Sequence, residues 1–145
     1  MAEDREFWSR TLNPTWSAST LSARAPSASW KVSRTRYDLG VELSSRIADV
    51  CGVNNWSVAT FLIACGRAFT TAMTGIFAFP FGMPVGARVD RSLNFVPGMT
   101  ANMLPVYVPA HPLTTFDTLV GSVSTALRQC LPHQRGRFER SSQRA

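Results

Sequence analysis

The most regular apolar pattern in the chain runs from Trp56 to Thr74, through Val58, Phe61, Leu62, Cys65, Phe69, Ala72 and Met73. Steps of three, four and seven keep residues on one side of a helix with about 3.6 residues per turn. Asn55 stands where an N-cap is expected, and Gly75 where the helix should stop. Leu43, Ile47, Val50 and Cys51 share that period and predict a helix capped by Asp38 and stopped by Gly52. A third helix is predicted over 115–131, with Phe116, Leu119, Val120, Val123, Leu127 and Cys130 on its buried side. Thr114-x-x-Asp117 starts it like a capping box, and Pro132 ends it. Residues 3–12 form a short amphipathic segment whose apolar side is Phe7, Trp8 and Leu12.

Other stretches read as strands. Residues 30–37 alternate, with Trp30, Val32 and Arg34 on one side and Lys31, Ser33 and Thr35 on the other. Ile76 to Phe81 is continuously apolar and reads as a buried strand ending at a Gly82-Met83-Pro84 turn. Thr100 to Val108 places Leu104, Val106 and Val108 on one face, and Pro105 demands an edge position or a bulge. Residues 13–29, rich in Ser, Ala, Thr and Pro, and the polar stretch 86–97 read as loops. The predicted order, α–loop–β–α–α–β–β–α, gives an α/β fold of two layers, helices on a sheet. About three strands is a thin sheet for so many apolar helix faces, so the unit reads as incomplete.

Composition narrows the class. With 145 residues, 45% hydrophobic and 17% charged, the chain is a globular domain rather than a disordered tail. The net charge of +6 rests on arginine, since Lys31 is the only lysine. Arg128, Arg135, Arg137, Arg140 and Arg144 crowd towards the end. No basic run, aromatic interleaving or recognition-helix pattern accompanies them, so no nucleic-acid partner is expected and the terminal arginines read as solvated. Cys51, Cys65 and Cys130 form no Cys-x-x-Cys pair, and neither His111 nor His133 lies near them at ligand spacing. Buried free thiols are expected, with no metal site. The charged start does not read as a signal peptide, and Gly66-Arg67, Gly75 and Pro80 interrupt the most apolar region. The expected location is cytoplasmic, with no membrane partner.

Pattern alone yields no catalytic constellation. No serine sits in a Gly-x-Ser-x-Gly elbow, and Gly82-Met83-Pro84-Val85-Gly86 continues into Ala87-Arg88 rather than a phosphate-binding Gly-Lys-Ser. His111, between Ala110 and Pro112, reads as a turn spacer, and His133 as a brace on the last carbonyls of a helix.

Four segments nevertheless resemble, in order, the C-terminal half of nonribosomal peptide synthetase condensation domains. They are Asp4-x-x-Phe7-Trp8-x-x-x-Leu12; the long segment Trp56–Ala64 with Thr74-Gly75; Gly82-x-Pro84-Val85-x-x-Arg88 followed by Pro97-Gly98-Met99-x-x-Asn102-x-Leu104-Pro105-Val106; and His133-Gln134-Arg135-Gly136-Arg137-Phe138-Glu139. The third is the most specific, because two blocks recur at the family's separation. Gly136 departs from the aromatic residue usual there, and residues 140–145 leave the pattern as a basic tail expected to be disordered. The resemblance covers most of residues 4–139 and implies a partial condensation domain over 1–139, the C-terminal lobe portion of a chloramphenicol-acetyltransferase-like fold.

The resemblance implies chemistry as well. In such domains an amine on one carrier attacks an acyl thioester on another, inside a tunnel between two lobes. A His-His-x-x-x-Asp-Gly motif in the N-terminal lobe serves that step, and this sequence has no adjacent histidines. The chain is therefore expected to be an incomplete piece, inactive alone, with no catalytic residue of its own. Asn102, Arg88 and Gly98 are its expected substrate-channel residues, and His133, Gln134, Gly82 and Pro84 its structural motif residues. Asn102 has a competing reading, an asparagine satisfying backbone groups at a bulge near Pro105. Arg88, Arg34 and Arg36 all remain open for pairing with the absent aspartate. No cofactor is expected to bind directly; phosphopantetheine would arrive on partner carrier domains, the other partner being the remainder of a condensation domain. The alternative is a non-catalytic carrier-binding or docking module on the same half-fold.

Overall fold

The computed structural model describes residues 2–11, 21, 31, 33–88, 95, 97–98 and 100–135. The elements are α1 (Ala2–Thr11), α2 (Gly40–Val53), α3 (Val58–Thr74), β1 (Pro80–Val85), β2 (Asn102–Tyr107) and α4 (Phe116–Cys130). A single 3-10 turn, Leu131–His133, continues α4. The chain divides into two compact units, Met1–Ala18 with Phe77–Ala145, and Ser19–Ile76.

In the first unit β1 and β2 pair antiparallel, with Pro80 opposite Tyr107, Gly82 opposite Pro105 and Val85 opposite Asn102. Antiparallel pairs alternate between those that exchange backbone hydrogen bonds and those that do not. Pro80, Pro84 and Pro105 all fall in one class, through the pairs Pro80–Tyr107, Gly82–Pro105 and Pro84–Met103. Beyond the ladder, Ala110 N–H donates to the Phe77 carbonyl at 3.2 Å, in line with the other class. The bonded pairs thus retain their donors, and each proline sits where its missing N–H is not needed. This arrangement corrects two sequence expectations. Gly82-Met83-Pro84 lies inside a strand rather than in a turn, and Ile76–Phe79 precedes the strand rather than forming it. The apolar run signalled burial, which Phe79 attains, but the register with β2 decided where pairing begins. Pro105 needs no bulge, because the register runs unbroken across it.

Alternation puts Leu104, Val106 and Val108 on one face, and all three are fully buried. Helix α4 packs on β2 and buries Leu119, Val120, Val123, Ala126 and Cys130. Phe116, expected inside, is exposed, while Ala126 is buried instead. The start of α4 also shifts by one residue: Thr115 is the N-cap, its hydroxyl accepting from the Thr118 N–H. Thr114 accepts instead from the His111 N–H, closing the preceding turn. Each fully buried valine or leucine here stabilises by roughly 1.5–3 kcal/mol relative to exposure.

The second unit contains α2 and α3. Ser57, not Asn55, caps α3, its Oγ accepting from the Thr60 N–H. Asn55 takes a left-handed conformation at φ 55° in the turn between the helices. Gly52 does not stop α2, which runs through to Val53, and Asp38 accepts from the Gly40 N–H just before the helix begins. Gly75 ends α3 at φ 69°, a conformation in which a Cβ is unfavourable. The apolar stripe predicted for α3 is mostly outward: Val58, Leu62, Phe69 and Met73 are exposed, whereas Thr60, Ala64 and Arg67 are buried. The strand predicted over 30–37 is absent where described, since Lys31 and residues 33–39 belong to no regular element and are exposed. Trp30 and Val32 lie outside the described residues, Tyr37 is exposed, and the remaining Lys, Arg, Ser and Thr side chains offer no face to bury. Apart from Leu21, the predicted loop 13–29 lies outside them, as do the tail 140–145 and most of 89–96.

Candidate functional site

Asn102 occupies the first position of β2 and shares the face of Leu104, Val106 and Val108. That face meets α4, which returns antiparallel to β2, so its C-terminal end arrives beside Asn102. The half-buried carboxamide donates from Nδ2 to the Gln134 carbonyl at 2.8 Å, and its Oδ1 accepts from the Met103 N–H at 2.9 Å. The reading in which Asn102 satisfies backbone groups is therefore realised, without a bulge. An amide with donors on one atom and lone pairs on the other is oriented by two such bonds, which fix the plane of the group.

The turn that holds Asn102 is itself held by α1. His133 Nδ1 lies 3.0 Å from Asp4 Oδ1, and both side chains are largely buried. The Trp8 indole Nε1–H donates to the His133 carbonyl at 3.0 Å. Phe7 stacks on the imidazole with ring centroids 4.1 Å apart, nearly parallel. Burial alone would raise the Asp4 carboxyl, but the hydrogen bond with His133 and positive charge close by hold it below its ordinary value. Asp4, Phe7 and Trp8 stand at i, i+3 and i+4, one face of a helix, which the sequence displays. What it does not display is their partner near the other end of the chain.

At the loop end of the hairpin, Arg88 donates to the Gly98 carbonyl at 3.1 Å, and the Thr100 hydroxyl to the Gly86 carbonyl at 2.7 Å. Gly98 adopts φ 154°, where side chains are rare. Gly82 faces Met103 closely: a Cβ there would meet the Met103 sulfur at 3.1 Å. Pro84 pairs with Met103 in the same ladder. The two sequence blocks Gly82–Arg88 and Gly98–Val106 are thus strand neighbours, and Asn102, Gln134 and His133 gather at the end of α4. Arg34 and Arg36 are exposed in the other unit. His111 is exposed in its turn.

Among the described residues no group of three His, Cys, Asp or Glu side chains is arranged to hold a metal ion. Cys51 and Cys130 are buried free thiols and Cys65 is half-buried; burial raises the thiols of Cys65 and Cys130, which disfavours thiolate chemistry. No single helix among the described residues is long and apolar enough to cross a membrane.

The sequence model of the family described as "Condensation domain" matches residues 1–142. Over 138 residues the chain is 27% identical to an isonitrile lipopeptide synthase from Streptomyces coeruleorubidus, a match covering 95% of this chain and 9% of that protein. It is 24% identical over 137 residues to a dimodular nonribosomal peptide synthase of Bacillus subtilis strain 168, covering 94% of this chain and 6% of that one. Among solved structures it is similar to the first condensation domain of the calcium-dependent antibiotic synthetase bound to a substrate analogue, at 26% identity and TM-score 0.79, over 98% of this chain and 31% of that one. A variant of the starter condensation domain of rhizomide synthetase, in complex with C8-CoA, gives 26% identity and TM-score 0.79, over 98% and 32%. The chain spans less than a tenth of these synthases and about a third of these solved chains.

Proposed function

The chain belongs to the condensation-domain family of nonribosomal peptide synthetases, and from that premise we propose that it forms one wall of a channel for amide-bond-forming acyl transfer between carrier-bound thioesters. The observation that supports this most is the pairing of the two motif blocks across the hairpin, with Asn102 at its end, held by Gln134. A carboxamide fixed in plane suits the amide and thioester groups of a pantetheine-borne substrate, which arrives on a carrier domain rather than residing in this chain. Arg88, tied to the Gly98 carbonyl, sits at the loop end of the same wall and remains a candidate for pairing with the motif aspartate, as do Arg34 and Arg36. The group that would position or deprotonate the attacking amine is that of a His-His-x-x-x-Asp-Gly motif outside these 145 residues, since His111 and His133 are the two histidines here and are not adjacent. The exposed apolar residues of α2 and α3 suit contact with the remainder of such a domain.

The test adds an N-terminal condensation-domain lobe and loaded donor and acceptor carrier domains to the chain. Amide product should appear only with the lobe present, and Asn102→Ala should lower its rate by about tenfold, the scale of one well-placed hydrogen bond. Equal rates with and without the 145-residue chain would sink the proposal. Carrier binding by the chain alone, without product in any combination, would favour the docking-module alternative.

A further inference from the structure

The turn after α4 has two successive carbonyls bound by side chains from different elements. The His133 carbonyl accepts from the Trp8 indole on α1, and the Gln134 carbonyl accepts from Asn102 on β2. The His133 ring is fixed a third way, by Asp4 at one nitrogen and by Phe7 across its face. Successive peptide planes share one α-carbon, so the angles at Gln134 (φ −67°, ψ −7°) set one carbonyl's direction relative to the other. A displacement of the His133 carbonyl or ring therefore reorients the acceptor that holds Asn102.

We propose that Asp4 and Trp8 are positioning residues for Asn102, acting through the His133–Gln134 turn although they lie almost the whole described chain away from it. The role given to Asn102 rests on the function proposed above; the mechanical link does not. Trp8 is buried, as a residue holding a backbone carbonyl away from water must be. Asp4 and His133 are largely buried and hydrogen-bonded at 3.0 Å, so water reaches their bond only in part. The link runs through hydrogen bonds whose atoms are all identified, and each can be removed singly.

The experiment follows the Asn102 side-chain amide by nitrogen-15 NMR in the dilute 145-residue chain. In the unsubstituted protein one Asn102 Nδ2 proton and the Trp8 indole proton should both exchange slowly, with an Overhauser contact from Asn102 to Gln134. Trp8→Phe and Asp4→Ala should each speed exchange of that Asn102 proton about fivefold or more, as loss of one supporting hydrogen bond implies. Asp4→Asn, which keeps an acceptor oxygen at the same place, should restore slow exchange. Throughout, the Val106 and Val123 backbone amides should keep their protection, a separation that a merely structural contribution would not give. Unchanged Asn102 signals in both variants overturn the proposal, and so do changes that only track the core amides. Should either substitution prevent folding, the unsubstituted chain decides: fast exchange at Asn102 or Trp8, or no Overhauser contact to Gln134, overturns it. Titration with an aminoacyl-N-acetylcysteamine thioester then separates the two ideas. Loss of the link with binding retained refutes the positioning role alone; an intact link with no response at Asn102 refutes the channel role alone.

Discussion

The hairpin with α4 and the α2–α3 pair were equally legible as apolar periodicity, yet they bury opposite things. In the first, apart from Phe116, most of the predicted apolar face is buried: Leu104, Val106, Val108, Val120 and Val123 are all excluded from solvent. In the second, the predicted stripe is largely exposed, with Phe69 at 58% and Met73 at 65% of their surface accessible, while Thr60, Ala64 and Arg67 are buried. Periodicity reports that a helix has an apolar side, not that the described protein covers it. In the function proposed above, that exposed stripe meets the remainder of the domain.

The sharpest way to break this comparison is a pair of truncations. Leu104→Ala should destabilise by about 2–5 kcal/mol, since it removes a fully buried side chain and leaves a void. Phe69→Ala should change stability by no more than about 0.5 kcal/mol, as surface substitutions do. Urea denaturation followed by tryptophan fluorescence measures both. Comparable losses at the two sites would mean that the α3 stripe is packed in solution and that the contrast fails.

A smaller effect isolates backbone geometry from side-chain burial. Gly75 terminates α3 with φ 69° and has nothing within 4 Å of where a Cβ would stand. Gly75→Ala should therefore cost about 1 kcal/mol through conformation alone, with no steric contribution. A neutral result by the same denaturation assay would show that the helix end relaxes to another conformation.

The sequence exposed much of this architecture and little of its site. Helix positions were readable because burial and period agree over α4, and because Gly75 has the stop chemistry that α3 needs. The caps slipped by one or two residues, Ser57 for Asn55 and Thr115 for Thr114, since neighbouring hydroxyl and amide residues offer equivalent oxygens and only geometry selects among them. The start of β1 differs from the sequence expectation because strand limits depend on the partner: Val85 opposite Asn102 fixes the register, and no local feature of Ile76–Phe79 reveals it. Family resemblance points to Asn102, Gln134 and His133 but not to their convergence with Asp4 and Trp8, because 129 positions separate the partners of the Asp4–His133 bond. Long-range polar pairs leave no periodic trace.

The smallest expected effect concerns that bond and acid. Asp4 is held below its ordinary carboxyl value of 3.8, so the folded state prefers the carboxylate more than the unfolded chain does. A lowered carboxyl contributes stability that is complete above its unfolded value and fades as pH falls through the folded one. Stability from this group should thus be level from neutrality down to about pH 5 and decline only below the ordinary carboxylate range. Because water still screens the pair in part, the whole contribution should be roughly a few tenths of a kcal/mol. Asp4→Asn should flatten that portion of the acid limb and leave the hairpin core untouched, as Leu104 and Val106 carry no titrating group. Denaturation midpoints of both proteins, compared at mildly acidic and strongly acidic pH, measure the difference. A steeper acid loss in Asp4→Asn than in the parent reverses the sign and would mean that the carboxylate is a burden tolerated by the fold, not a tether of α1 to the turn beneath Asn102.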